Sequence, residues 1–167
     1  MKSLHLMRHA KSSWDSPQLS DRDRPLNKRG QRDAPRMGAA LAQQLEPVSI
    51  FVSPARRAQL TLEGLCNGWP ALGELTHVTD EDLYTFSSGD LVTWMQAQSD
   101  SQNLLFIIGH NPAFTDLVNF LTGQFSLENL PTAGYVQLEL NIDQWQDLLQ
   151  GCAVIKHSLL PKQLGKH

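Results

Sequence analysis

Apolar residues along this chain gather into short continuous runs, and between the runs they recur at three- to four-residue intervals within polar surroundings. Continuous runs of four to eight residues read as strands, and the longer periodic stretches read as helices. Residues 4–7 form the first strand, which ends on Arg8 and His9. Residues 11–30 are polar, carry Pro17 and Pro25, and read as a long loop; loops of that length are often functional. Met37, Leu41 and Leu45, four apart, predict a helix over 33–45, with Pro35 tolerated in its first turn. A second strand over 48–52 closes at Ser53-Pro54, and a helix over 55–65 follows, with Gly68 and Pro70 beyond its end.

Further on, residues 76–79 read as a short strand and 90–98 as a helix. The run Leu104-Leu105-Phe106-Ile107-Ile108 is apolar at every position, which suits a central strand covered on both faces. It leads through Gly109-His110-Asn111-Pro112 into a helix over 113–121. Residues 135–140 and 153–159 are the last strands, joined through a turn around Asp143. Strands alternating with helices predict an α/β fold: three layers, a largely parallel central sheet flanked by helices. A length of 167 residues fits a single domain spanning 1–167.

Charge adds a feature that the apolar pattern does not contain. Residues 1–57 hold eleven Lys/Arg against five Asp/Glu, whereas residues 58–155 hold none against twelve. A basic segment on a chain of net charge −3 points to a local anion site rather than a general polyanion surface. Mixed runs such as Asp21-Arg22-Asp23-Arg24 read as solvated pairs. The aromatic residues are not interleaved with the basic ones, so nucleic acid is not an expected partner. Trp14, Trp69, Trp94 and Trp145 are scattered as packing residues would be, and Cys66 and Cys152 read as small core residues. His5, His77, His157 and His167 have no evident partner. No run approaches the ~20 apolar residues of a membrane span, and charge interrupts the first eight residues too soon for a secretory signal. The expected compartment is the cytoplasm.

Three predicted strands end on polar groups: Arg8-His9, Ser53 followed by Arg56-Arg57, and His110-Asn111. In open α/β sheets ligands bind beyond the carboxyl ends of the strands, so parallel strands would bring these segments together. Two arginines and two histidines around one crevice suit a phosphoryl group, because guanidinium forks match its oxygens and imidazole serves as nucleophile or donor. Lys11 and Ser12 could reach phosphate from the loop, and Asn111 could orient His110 or cap the next helix. Phosphate-loop, serine-elbow and zinc-helix motifs have no counterpart in the sequence, and neither a metal nor a cofactor is expected.

The chain resembles the histidine phosphatase superfamily, the phosphoglycerate mutase-like clan. Leu6-Met7-Arg8-His9-Ala10 is similar to its Arg-His-Gly signature, with alanine in place of glycine. Ser53-Pro54-Ala55-Arg56-Arg57-Ala58 with Thr61 is similar to its second motif, and Gly109-His110-Asn111-Pro112 to its third. Arg24-Pro25-Leu26, Arg29-Gly30 and Pro131-Thr132-Ala133-Gly134 resemble the small SixA-type phosphohistidine phosphatases. The resemblance implies a phosphoglycerate mutase-like fold, His9 as the phosphate-accepting nucleophile, and Arg8, Arg57 and His110 as ligands of the phosphoryl oxygens. Arg56 is then an entrance or surface residue.

The clan's glutamate motif has no counterpart, although Glu81 and Asp82 stand where its general acid is commonly supplied. An alkoxide leaving group needs such an acid, whereas a phosphorylated imidazole can carry its own proton. The expected substrate is therefore phosphohistidine on a protein, such as a histidine-phosphotransfer domain. A phosphatase for small phosphoesters, with Glu81 or Asp82 as acid, and a non-catalytic phosphate-binding module are the alternatives.

Overall fold

The computed structural model describes residues 1–165. Strand β1 (Lys2–Arg8) is followed by α1 (Lys28–Ala42), β2 (Phe51–Val52), α2 (Arg56–Gly68), a short α3 (Pro70–Gly73) and β3 (Val78–Thr79). Then come α4 (Ser88–Gln96), β4 (Leu104–Gly109), α5 (Ala113–Thr122), β5 (Tyr135–Leu140) and β6 (Ala153–Leu159). The sheet order is β3-β2-β4-β1-β5-β6. The first four of these strands are mutually parallel, while β5 is antiparallel to β1 and to β6.

Alternation along the strands divides the core into two layers. Leu105 and Ile107 of β4, with Leu4 and Leu6 of β1, pack against Leu91, Trp94 and Met95 of α4 and Phe114, Leu117 and Val118 of α5. Phe106 and Ile108, with Met7, face Ala34, Met37 and Leu41 of α1 and Ala58 and Leu65 of α2. Successive side chains point to opposite faces, so an all-apolar β4 is what a strand between two helical layers requires.

Helix α1 begins at Lys28, five residues before its expected start, because the Asn27 side chain accepts a hydrogen bond from the Gly30 N–H and caps it. Its first turn is polar and carries no apolar periodicity. Pro35 accordingly lies in the helix interior, not in the first turn. Gly38 meets the Leu65 backbone so closely that a Cβ would lie 2.2 Å from its carbonyl oxygen. That approach seats α2 on α1, and α2 carries Arg57 in its first turn. The expected strand over 48–52 is shorter than its apolar pattern, with only Phe51–Val52 in the ladder. The loop before α1 is also not featureless. Ser12 bridges to Leu26, and Asp21–Asp23 form a 3-10 turn.

Two of the unplaced histidines find hydrogen-bond partners. His5 shares a 2.6 Å hydrogen bond with the Tyr135 hydroxyl, and His77 accepts from the Ile50 N–H and donates to the Leu72 carbonyl. His157 packs edge-on to Tyr135, and His167 lies outside the described residues. Cys66 and Cys152 are free and half-buried, each packed at the margin of one core layer. Among the described residues no helix is long and apolar enough to cross a membrane.

Candidate active site

Adjacent parallel strands deliver the three polar segments to one edge of the sheet. The His9 N–H donates to the Gly109 carbonyl and the Ser53 N–H to the Ile108 carbonyl, so the ends of β1 and β2 are both tied to β4. The Ala10 N–H donates to Thr61 Oγ1, whose hydroxyl donates to the Arg57 carbonyl at 2.7 Å. Thr61 thus locks the first segment to the second. The loop before β5 closes the other side: the Ala133 N–H donates to the Arg8 and His9 carbonyls, with Ala133 itself in the left-handed region at φ 59°.

These ties place His9 and His110 with ring centroids 5.3 Å apart, within reach of the charges of both Arg8 and Arg57. The His9 Nδ1–H donates to the Ala10 carbonyl at 2.7 Å. A carbonyl only accepts, so in the neutral ring Nδ1 holds the proton and Nε2 keeps a free lone pair. Burial, then the charges of His110, Arg57 and Arg8, push His9 down to about 3, against its bond to Ala10. His110 is lowered to about 3 by burial and then by Arg57. Both rings are therefore neutral near pH 7. His110 Nε2 and the Ser53 hydroxyl lie 2.7 Å apart, and Ser53 Oγ also accepts from the Ala55 N–H. Tyr84 and Phe86 pack on the His110 ring.

The guanidinium groups carry the positive potential. Arg57 is 2% exposed, and Arg8 is pushed down by burial and by the charge of Arg57. The Nε–H groups of Arg8 and Arg57 are buried with no hydrogen-bond partner among the described residues. Buried donors are nearly always paired, and an oxyanion between these arginines would satisfy both. Arg8 is aimed by a 2.9 Å bond to the Leu130 carbonyl, which also accepts from Asn111 Nδ2. Asn111 Oδ1 accepts from the Thr115 N–H and hydroxyl. Its side chain thus caps α5 and braces the carbonyl that holds Arg8. Both of its ends are engaged by protein groups.

The remaining candidates are placed as follows. Ser12 Oγ accepts from Arg24 at 2.7 Å, and the Lys11 carbonyl accepts from the Asn27 N–H while packing over Gly30. Arg56 is exposed, as an entrance or surface residue would be. Glu81 is joined through both oxygens, at 2.8 Å each, to Arg22, and that pairing lowers its pKa. With Asp82 it lines a cleft of ≈ 570 Å³ among Tyr84, Thr85, Asp90, Thr93, Trp94 and Ala97, a set that includes neither His9 nor His110. Among the described residues no hydrogen bond joins either acid to His9 or His110. No group of three or more His, Cys, Asp or Glu among the described residues could hold a metal ion.

Asp21 and Arg24 are site residues that the sequence pattern hid, and the solvated reading of their charge run is corrected for both. Arg57 donates to the Asp21 carbonyl at 2.6 Å and to its carboxylate at 2.9 Å. Arg24, only 8% exposed, binds the other carboxylate oxygen at 3.2 Å, and the Tyr84 hydroxyl donates at 2.5 Å. Although burial opposes it, hydrogen bonds from Tyr84, Arg57 and Arg24 hold Asp21 at about 2. It is a fixed anion rather than a proton donor. The one legible signal was the Arg24-Pro25-Leu26 resemblance.

The sequence model of the histidine phosphatase superfamily (branch 1) matches residues 4–106, more than half of the chain. The chain belongs to that superfamily. It is a histidine phosphatase by family, and His110 lies just beyond the matched span. An uncharacterized protein of Mycobacterium tuberculosis is 30% identical over 166 residues, covering 93% of this chain and 100% of that protein. An uncharacterized chloroplastic protein of Arabidopsis thaliana is 27% identical, over 87% of this chain and 70% of its own. Among solved structures, a protein histidine phosphatase SixA complexed with tungstate superposes with a TM-score of 0.78 at 23% identity, over 98% of this chain and 99% of that one. A mycobacterial glucosyl-3-phosphoglycerate phosphatase superposes at 0.65 with 14% identity, over 93% and 97%. These similarities establish the three-layer, phosphoglycerate mutase-like fold expected from the sequence.

Proposed function

We propose that this histidine phosphatase hydrolyses phosphohistidine on a protein, through a phosphorylated His9. The observation that carries the reading is the state of the carboxylates. Asp21 and Glu81 are both bound to arginines and held in the anionic form. A site without a poised acid favours a leaving group that brings its own proton.

His9 Nε2 attacks phosphorus in line as the bond from phosphorus to the substrate imidazole breaks. That imidazole, protonated on its second nitrogen, departs neutral, and His9 becomes a phosphoimidazolium whose Nδ1–H still donates to the Ala10 carbonyl. Water then attacks phosphorus, His9 recovers its Nε2 lone pair, and both water protons leave on dihydrogen phosphate. Arg8, Arg57 and neutral His110 offset the charge on the equatorial oxygens. The tungstate in the SixA structure is an oxyanion of matching shape and supports an anion site in this fold. We place the enzyme in the cytoplasm, where its two free thiols would persist.

The test compares a phosphorylated histidine-phosphotransfer domain with a panel of sugar phosphates. Preferential turnover of the phosphoprotein, with acid-labile and base-stable phosphate trapped on His9, is the expected result. Robust sugar-phosphate turnover with none of the phosphoprotein would favour the small-phosphoester reading. Absence of any trapped phosphate with every donor would favour a phosphate-binding module.

A further inference from the structure

Trp69, Trp94 and Trp145 are core residues, but Trp14 is 71% exposed, contrary to the packing role expected for all four. An exposed indole with no core function invites an account, and its mount supplies one. The Arg24 guanidinium lies 3.6 Å from the Trp14 ring centroid, stacked on it. Arg24 is in turn fixed by Ser12 Oγ, the Ser13 carbonyl and the Asp21 carboxylate. Asp21 holds Arg57. The ring is therefore both presented to solvent and rigidly coupled, through two side chains, to a phosphate-binding arginine.

A rigid exposed aromatic is the kind of group that anchors protein interfaces, because it buries a large area at little entropic cost. A free phosphoryl donor ends at the pocket, whereas a phosphohistidine on a protein arrives with the surface around it. We propose that Trp14 is a docking anchor for the protein surface surrounding the phosphohistidine. This rests on the phosphohistidine reading of the same site and adds a determinant that distinguishes a protein substrate from a small one.

The experiment uses the full chain with two donors of the same P–N bond: a phosphorylated, tryptophan-free histidine-phosphotransfer domain, and phosphoramidate. Trp14→Ala is expected to raise KM for the phosphoprotein about tenfold or more, with Trp14→Phe recovering most of the loss and phosphoramidate turnover unchanged. In a His9→Ala background, the phosphoprotein should shield the single exposed tryptophan from acrylamide, and phosphoramidate should not. Equal losses on both donors would assign Trp14 a structural role, and an unchanged phosphoprotein KM would show that it is not an anchor; either overturns the proposal alone. Shielding by phosphoramidate would place the indole within the pocket and also overturn it. Complete failure of the wild-type enzyme on the phosphoprotein would overturn the docking proposal and the phosphohistidine reading together.

Discussion

Arg57 and Asp21 meet twice, through the Asp21 backbone carbonyl at 2.6 Å and its carboxylate at 2.9 Å. A guanidinium has five N–H groups, so two bonds to Asp21 and one at 3.4 Å to His110 Nδ1 leave two for other oxygens. Asp21 is thus a positioning residue that holds a buried cation from one side. Asp21→Asn is expected to lower kcat/KM by on the order of tenfold, because Arg57 and Arg24 lose their shared counter-charge. Steady-state kinetics and inorganic phosphate inhibition check this. Tighter phosphate binding in the variant would mean that Asp21 competes for Arg57 instead.

Glu81→Gln separates the two views of proton donation. The Glu81 side chain is exposed and bound to Arg22, so the substitution should leave kcat/KM within about twofold. A general acid would lose on the order of 10²–10⁴. The kcat/KM for a sugar phosphate and for a phosphoprotein, measured in parallel, decides the matter.

Ser53→Ala removes the oxygen 2.7 Å from His110 Nε2. The buried imidazole then loses a partner, at a cost of about 1–3 kcal/mol in stability. Activity should fall mainly in kcat, since His110 would meet the transition state with a less defined tautomer. Denaturant melts together with kcat and KM measure both effects.

Three histidines are held well below their ordinary value: His5 at about 4, and His9 and His110 at about 3. Between those values and about 6.5 the unfolded chain binds more protons than the folded one. Stability contributed by these neutral rings is therefore complete above about pH 6.5 and declines on acidification, by up to about 1.4 kcal/mol per pH unit for each group. Urea midpoints from pH 7 to 4.5 should trace that decline. Imidazole NMR titration of the folded enzyme should find His9 neutral throughout, and kcat/KM should have no limb near pH 6.5 from the nucleophile.

Gly30→Ala would bring a Cβ to 2.2 Å from the Lys11 carbonyl oxygen. The clash is with backbone of the loop that follows His9, so it should cost about 1–3 kcal/mol in stability and reduce activity as well. Thermal melts and turnover of the same preparation would reveal both losses.

Much of this was legible in the sequence where chemistry and apolar pattern coincide. β5 and β6 begin and end where their runs do, and the polar ends of β1, β2 and β4 converge because the strands are parallel neighbours. The start of α1 was not legible, since a capped but polar first turn has no apolar period. Asp21 was hidden for a related reason: inside a charge run, nothing local distinguishes a carboxylate that pairs with Arg57 across 36 residues. The Leu130 carbonyl, which aims Arg8, is backbone and leaves no mark on residue type at all.

Strand β4 is made late in the chain yet lies between β1 and β2, and it supplies the carbonyls that hold both His9 and Ser53. During synthesis, then, Arg8, His9 and Arg57 emerge long before the strand that aligns them. Phosphoryl transfer is closed to the nascent polypeptide until residues 104–110 have been made and inserted. Catalysis in this enzyme is a late event of maturation, and its appearance would time the completion of the sheet's centre.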